Sequence, residues 1–437
     1  MKSKLPKVLH TVGGKPMLQH VVDVSRKIGS TRVVVVIGAG AQLVEQTITG
    51  VEFVLQEQQL GTAHAVMTAR EKFADVEGTL MILCGDTPLL TKKLLEDFAA
   101  AHEQYDCAAT VMTAEVPAPK GYGRVIREED GTFAKIVEDK DADEAQSKIR
   151  EINAGAYCFD VKKLYGALER VNNDNAQGEY YLPDVLSILK GDGEKICVFT
   201  AEYCEETIGI NTREQLSAAA QVLRIRKERE LMESGVTIID PNTTFIDIDV
   251  EIGQDTIIYP NTYLEGTTVI GTDCKIGPDV RFTNMKVGDN VTVQFSYCHD
   301  AEINNDVTIG PYVHMRPGSK IRDHVKIGNF VEVKNSVIGK GTKLPHLQYI
   351  GDSDVGDNVN VGCGTVTCNY DGKNKYRTKI GNNAFIGCNT NLVAPVKVGD
   401  NAYIAAGSTI TKDVPDNNLA IARARQTNIV GWNDKRK

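Results

Sequence analysis

Between Gly235 and about Thr411, Ile-Gly or Val-Gly pairs begin at 252, 270, 276, 287, 309, 327, 338, 350, 355, 361, 380, 386 and 398. Several of the intervals are multiples of six, as from 252 to 270, 270 to 276, 309 to 327 and 386 to 398. Others, as from 276 to 287, 287 to 309, 350 to 355 and 361 to 380, interrupt the register as loops would. A six-residue period with one aliphatic per repeat fits neither the period of a helix nor that of a hairpin sheet. It is the pattern of a parallel β-helix, in which each repeat supplies a short strand and a corner and three repeats close a coil. The aliphatic is expected to fill the narrow triangular core, and the Gly, Asn or Asp that follows to make the corner. Such a core needs few aromatics, in keeping with an aromatic content of 6% and a single Trp.

The chain has 437 residues, enough at about 150 per domain for two or three folded units. From Lys2 to about Ile210 the texture differs: RVVVVIG at Arg32, VEFVLQ at Val51, TLMILCGD at Thr79, CAATVMTAEV at Cys107 and INAGAYCFD at Ile152 read as apolar strands. Amphipathic stretches such as AHAVMTAREKF separate them, which predicts an α/β domain with a largely parallel sheet and ligands beyond the strand carboxyl ends. The charged, Gly- and Pro-free stretch TREQLSAAAQVLRIRKERELMES predicts one long helix closed by Gly235. The expected organisation is thus 1–210, a linker helix over 211–234, and a β-helix with its tail over 235–437.

Lys plus Arg number 49 against 58 Asp plus Glu, a formal net charge of −9, which argues against a nucleic-acid-binding surface. The longest apolar runs, from Val33 and from Leu80, fall far short of the ~20 residues needed to span a bilayer, so no membrane segment is expected. The amino terminus MKSKLPKVLH does not read as a secretory signal. The ten cysteines form no CxxC pair, so reduced, buried thiols and a cytoplasmic location are expected, with no structural zinc site.

Two ordered sets of motifs carry the chemistry. KLPKVLHTVGGKPML, LQEQQLGTAHA, LCGD, GYGR, IVEDKD, EINAG, NAQGEYYLPD and the GIN ending at Asn211 resemble the sugar nucleotidyltransferases that make UDP-N-acetylglucosamine. HLQYIGD, VNVGCGTVTCNYDG, AFIGCNTNLVAPV and AIARARQT resemble the acetyltransferase half of the bifunctional N-acetylglucosamine-1-phosphate uridylyltransferase/glucosamine-1-phosphate N-acetyltransferase family. The resemblance implies a Rossmann-like nucleotidyltransferase domain, a long connecting helix and a left-handed parallel β-helix of hexapeptide repeats. It also implies a cytoplasmic homotrimer serving cell-wall precursor synthesis. Members of that family begin with a strand and a glycine-rich loop of the type LAAGxGTRM, and this chain starts at the Met that would end it. The expectation is therefore an incomplete uridylyl half that binds UTP poorly.

For uridylyl transfer, positioning and charge neutralisation dominate because the sugar phosphate is already an anionic nucleophile. By resemblance Lys7 contacts phosphates, Asp86 and Asn211 hold Mg²⁺, Gln56, Gly61 and Thr62 face the uracil, and Cys84 and Gly85 line the nucleotide. Gly123, Glu138 and Asn153 match the residues that contact the N-acetylglucosamine moiety. Acetyl transfer needs a neutral amine and hence a base of pKa near 7, for which histidine is suited. His346 resembles the family's catalytic histidine.

Arg316 and Lys334 look like the cations that grip the sugar 1-phosphate, and their separation by one full coil would stack them on one face. Tyr349 and Asn360 resemble hydrogen-bonding partners of phosphate and sugar. Cys363, Asn369, Tyr370, Cys388, Ala406 and Arg423 occupy the positions that match the acetyl-CoA groove, with peptide N–H groups near Cys363 as oxyanion donors and Arg423 able to serve a neighbouring subunit. Thiols at 363 and 388, where some relatives have Ala or Ser, predict inactivation by alkylating reagents that acetyl-CoA slows. Competing readings are an acetyltransferase alone, a nucleotidyltransferase with a purely structural β-helix, and a non-enzymatic solenoid. The last would show a regular Thr-rich face, which the sequence lacks.

Overall fold

The computed structural model describes residues 1–436. By internal contacts the chain divides into two units between Leu223 and Arg224. In the first, the elements run α1 (Met17–Lys27), β1 (Val34–Ile37), α2 (Ala41–Thr47), β2 (Glu52–Leu55), α3 (Thr62–Thr68), β3 (Thr79–Ile82), α4 (Lys92–Gln104) and β4 (Ala109–Glu115). They continue with β5 (Arg124–Arg127), β6 (Phe133–Val137), β7 (Glu151–Asp160), α5 (Val161–Leu168), α6 (Asp184–Gly191) and β8 (Ile196–Thr200).

α4 and α5 begin where a short polar side chain takes an unpaired backbone donor. Thr91 accepts from the Leu94 N–H at 3.2 Å ahead of α4, and Asp160 from the Lys163 N–H at 2.9 Å ahead of α5. Behind its cap α4 buries Leu94, Leu95, Phe98 and His102, one face of a helix laid on the sheet.

The sheet follows the order β8-β4-β7-β5-β6, with β3 also on β7, while β1 and β2 form a separate parallel ladder. β8 and β4 are parallel, but β7 runs antiparallel to β4, β3 and β5, so the sheet is mixed rather than largely parallel. The reversal comes from the β5–β6 hairpin, which turns the chain back without the crossover helix that a parallel return requires. It also shapes the site. β3 takes the Tyr157–Asp160 end of one edge of β7 and β5 the Ile152 end, so that edge opens at residues 153–156.

Cys107 and Cys197 form a disulfide, which corrects the expectation that all ten thiols are reduced. The parallel ladder pairs Cys197 with Thr110 and brings the two cysteine Cα atoms to 6.1 Å, inside the range a disulfide spans. The other eight cysteines are free.

The expected linker helix is present as α7 (Arg213–Glu233) and contains the division between the units. Beyond it, parallel strands stack into ladders of 19 and 9 strands. Ladder partners lie one coil apart in sequence, as in Ile257 with Lys275, Lys275 with Thr292 and Thr292 with Thr308. The coil that pairs Asn360 with Phe385 is longer than these because it carries an excursion after Cys368. The interior is a continuous column of fully buried Ile, Val and Leu, among them Ile276, Val293, Ile309, Ile327, Leu344 and Val361.

The glycines of the Ile-Gly pairs serve a different purpose from the one expected. A Cβ on Gly253 would stand 2.6 Å from the Gly271 carbonyl carbon, and one on Gly356 would stand 2.8 Å from that of Gly381. They are small because the next coil's backbone passes there. The left-handed corners themselves are made mostly by Asp and Asn, as at Asp273, Asn290 and Asp306, whose short polar side chains tolerate positive φ. No helix among the described residues is long and apolar enough to cross a membrane.

Candidate functional site

In the first unit, a cavity of about 710 Å³ reaches from between β1 and β3, where Val34, Val36, Leu80 and Ile82 line it, to the opening on β7. Lys7, Thr62, Cys84, Gly85, Glu138 and Asn153 all line it, so residues spread over much of the domain sequence meet in one place. At its mouth the Lys7 ammonium donates to Asp86 Oδ2 at 2.5 Å and to Asn211 Oδ1 at 2.7 Å. The backbone holds the two acceptors in place, since the Ile210 N–H donates to the Asp86 carbonyl at 2.9 Å.

Gly123, Glu138 and Asn153 form one wall. A Cβ on Gly123 would lie 3.2 Å from Glu138 Oε1, and the Asn153 N–H donates to the Gly123 carbonyl at 2.9 Å. Asn153 also donates through Nδ2 to the Tyr157 hydroxyl at 2.7 Å and accepts the Gly155 N–H at 3.0 Å, which fixes its amide. Burial pushes the Glu138 carboxyl up, helped by the charges of Asp141, Asp184 and Asp139. Gln56 and Gly61 stand behind the lining: Gln56 Nε2 donates to the Gly61 carbonyl at 3.2 Å, while Thr62 Oγ1 accepts the Leu182 N–H at 3.0 Å. Gly61 has φ +116°, and a Cβ there would sit 2.5 Å from the Tyr180 carbonyl oxygen, so the position demands glycine.

In the second unit, two nine-residue strands organise the other residues: β9 (Lys326–Lys334) and β10 (Lys343–Gly351). They pair Asn329 with His346, Glu332 with Tyr349 and Lys334 with Gly351. The coil before them pairs His314 with Glu332 and Met315 with Val333, which sets Arg316 directly over Lys334. His346 precedes the left-handed corner at Leu347 and Tyr349 follows it, so His346 and Lys334 lie at opposite ends of one side with Tyr349 between. The Tyr349 ring lies along the strand toward the cations: a Cβ on Gly351 would run into its hydroxyl.

Several residues the sequence did not single out complete this cluster. Asp352, buried behind Lys334, accepts from Asn335 Nδ2 at 2.6 Å, Asn369 Nδ2 at 2.5 Å and Lys334 Nζ at 3.3 Å. Burial pushes its carboxyl up, but those hydrogen bonds and the Lys334 charge outweigh burial and hold it below the usual value. Glu332 receives Arg316 Nη1 at 2.9 Å. Lys375, at the Tyr370–Lys375 bridge of the long coil's excursion, is pushed down by the close approach of the Lys334 ammonium and its charge. A third cation therefore joins Arg316 and Lys334. Asn329 Oδ1 lies 2.7 Å from His346 Nδ1. An amide oxygen only accepts, so Nδ1 is the donor in this contact.

Below His346 the corner repeats as a column. Lys343 pairs with Asn360 and Val361 with Ile386, which puts Cys363 under His346 and Cys388 under Cys363. The hydrogen bonds from Gly364 N–H to the Leu347 carbonyl (2.9 Å), Asn389 to Cys363 (2.7 Å) and Gly407 to Cys388 (2.8 Å) carry the register down to Ala406. At coil spacings of about 4.8 Å this is a straight, surface-facing track from the imidazole. It ends near Arg423, whose Cδ would lie 3.6 Å from a Cβ on Gly407. The Gly364 N–H is already committed to Leu347, which removes it as an oxyanion donor. Asn360 lies on the side before the corner, with Lys343 and Phe385 as ladder partners, away from the cation cluster. Tyr370 is exposed on the excursion, its hydroxyl donating to the Gly372 carbonyl at 2.7 Å.

The profile of the MobA-like NTP transferase domain matches residues 1–179, and that of the bacterial transferase hexapeptide (six repeats) matches 249–284, 300–335 and 377–412. The bifunctional protein GlmU of Listeria monocytogenes serotype 4b (strain CLIP80459) is 52% identical over 433 residues, 99% of this chain and 95% of that protein. Those of Geobacillus sp. (strain WCH70) and Geobacillus thermodenitrificans (strain NG80-2) are 53% and 54% identical over 436 residues, again 95% of each protein. The chain belongs to the GlmU family. It is a bifunctional enzyme, a nucleotidyltransferase followed by a hexapeptide acyltransferase. The matches cover 99–100% of this chain and 95% of each of these relatives, and they give no support to the expectation that the uridylyl activity is lost. A UDP-glucose pyrophosphorylase solved with UDP-glucose covers 51% of this chain and 91% of its own, at 17% identity and a TM-score of 0.42, too remote to carry an argument.

Proposed function

We propose that the β-helix unit acetylates glucosamine-1-phosphate from acetyl-CoA and that the first unit then transfers UMP from UTP to the N-acetylglucosamine-1-phosphate formed, giving UDP-N-acetylglucosamine. The observation that carries the acetyl half is the column of Cys363, Cys388 and Ala406 running from His346. It supplies a track for the pantetheine arm of acetyl-CoA that ends at a base. Arg316, Lys334 and Lys375 hold the 1-phosphate, Tyr349 bridges toward the sugar, and Nε2 of His346 takes the proton as the amine attacks the thioester carbonyl. Asn329 holds the ring in place by accepting from Nδ1. Asn360, Asn369, Tyr370 and Arg423 are assigned to substrate and cofactor contact at the margins of this surface.

In the uridylyl half, Lys7 stands 2.5 Å from Asp86 and 2.7 Å from Asn211, a side-chain cation held where two hard oxygen donors converge. That donor set fits Mg²⁺, which takes one or two protein oxygens and keeps waters for phosphate oxygens. Asp86 and Asn211 would hold the ion, which would neutralise phosphate charge, while Lys7 turns to the phosphates. Gln56, Gly61 and Thr62 back the base, Cys84 and Gly85 line the nucleotide, and Gly123, Glu138 and Asn153 receive the amino sugar. The enzyme works as a cytoplasmic homotrimer, with the exposed tail around Arg423 reaching a neighbouring subunit. The two half-reactions, assayed separately, test the assignment. His346→Ala should lose at least about a hundredfold in acetyl transfer and keep uridylyl transfer. Asp86→Ala should do the reverse, and a variant that lost both or neither would refute the division of labour.

A further inference from the structure

The track below His346 holds two free thiols in line. The pairing of Val361 with Ile386 continues two residues on to Cys363 and Cys388, and the Asn389 N–H donates to the Cys363 carbonyl at 2.7 Å. A Cβ on the intervening Gly362 would lie 2.6 Å from the Cys388 nitrogen, so the two coils are in close contact there. In-register Cα atoms of adjacent parallel coils stand about 4.8 Å apart, within the span a disulfide bridges. Cys388 is exposed and Cys363 half-exposed. The only other thiol nearby in sequence, Cys368, pairs with Val393 and is out of register with Cys388.

We propose that Cys363 and Cys388 are a vicinal dithiol that an oxidised low-molecular-weight disulfide, such as glutathione disulfide, converts to a disulfide across the acetyl-CoA track, closing it to cofactor. This rests on the reading of that track as the acetyl-CoA site. In the first step one thiolate, that of the more exposed Cys388, attacks a sulfur of glutathione disulfide, forming a mixed disulfide and releasing one glutathione thiolate. In the second the Cys363 thiolate attacks the Cys388 sulfur, forms the Cys363–Cys388 bond and releases the second glutathione. The protein is oxidised by two electrons and the glutathione disulfide is reduced to two thiols.

Trypsin cuts between the two cysteines at Lys373, Lys375, Arg377 and Lys379, so peptide mapping of the whole chain after glutathione disulfide treatment reads the bridge directly. The expected product is a cross-linked pair, residues 344–373 with 380–397, two hydrogens lighter than the sum and free of glutathione. Cys368→Ser should leave it in place and Cys363→Ser should replace it with a glutathione adduct on Cys388. Bridging should lower acetyl transfer at least tenfold, reversibly with dithiothreitol, without touching uridylyl transfer, and saturating acetyl-CoA should slow it at least tenfold. In the double variant Cys363→Ser, Cys388→Ser the acetyl transfer rate, whatever its level, should no longer respond to the oxidant. Separate glutathione adducts with no cross-link, or a cross-link that leaves acetyl transfer intact, would overturn the proposal. A reduced protein without any acetyl transfer would instead overturn the proposed function and leave the mapped bridge standing.

Discussion

Replacing Asp352 by Asn should destabilise the β-helix unit by about 3 kcal/mol. The carboxylate is 5% exposed and takes three donors, from Asn335, Asn369 and Lys334, the last an ammonium whose side chain is 17% exposed. An amide at this position has one accepting oxygen and presents its NH₂ group to a remaining donor, leaving the Lys334 charge unpaired. Breaking one side of a buried pair costs roughly 3–5 kcal/mol, and the residual exposure of Lys334 sets the lower end. The sign of the pH dependence follows from the same contacts. The folded-state carboxyl titrates below the ordinary aspartate value of about 3.9, so its stabilisation is complete above about pH 4 and fades as the pH falls through the depressed folded value. Urea unfolding of the full chain, followed through the β-helix transition from neutral pH downward, should show a gap between the parent and Asp352→Asn that narrows in acid. A gap under about 1 kcal/mol at neutral pH, or one that widens in acid, would refute the reasoning. Lys334→Met with Asp352→Leu should recover much of the loss, because removing both charges leaves none buried without a partner.

Two further outcomes follow from the site geometry. Asn329→Ala frees the His346 ring to turn, and acetyl transfer should fall about tenfold through kcat with the KM for glucosamine-1-phosphate little changed; an unchanged kcat would deny Asn329 a positioning role. Gly61→Ala sets a side chain at φ +116° against the Tyr180 carbonyl, which should cost the first unit about 2–3 kcal/mol and weaken UTP binding in calorimetry, and a neutral result would mean the loop shifts freely.

What the sequence made legible depends on whether a constraint repeats locally. Every coil must place one aliphatic inside, so the period survives irregular loops, and the stacking of Arg316 over Lys334 could be read from a separation of one coil. Asp352 could not be found that way. Its partners Lys334, Asn335 and Asn369 each lie about one coil off, but coil length varies and one coil is extended by an excursion, so no fixed offset predicts which polar side chains meet. Lys375 was hidden for the same reason, since it reaches Lys334 only because the long coil's excursion folds back through the Tyr370–Lys375 bridge. In the first unit, apolar runs gave the strands but not their directions. A strand buried on both faces looks alike whether its neighbours run with it or against it, so β7 and the opening at residues 153–156 that admits Asn153 to the cavity had no signature of their own. The Ile-Gly glycines show the converse. The pattern was visible but its cause was misassigned, because close passage of the next coil and a left-handed corner both select glycine, and only the Gly271 and Gly381 carbonyls opposite distinguish the two.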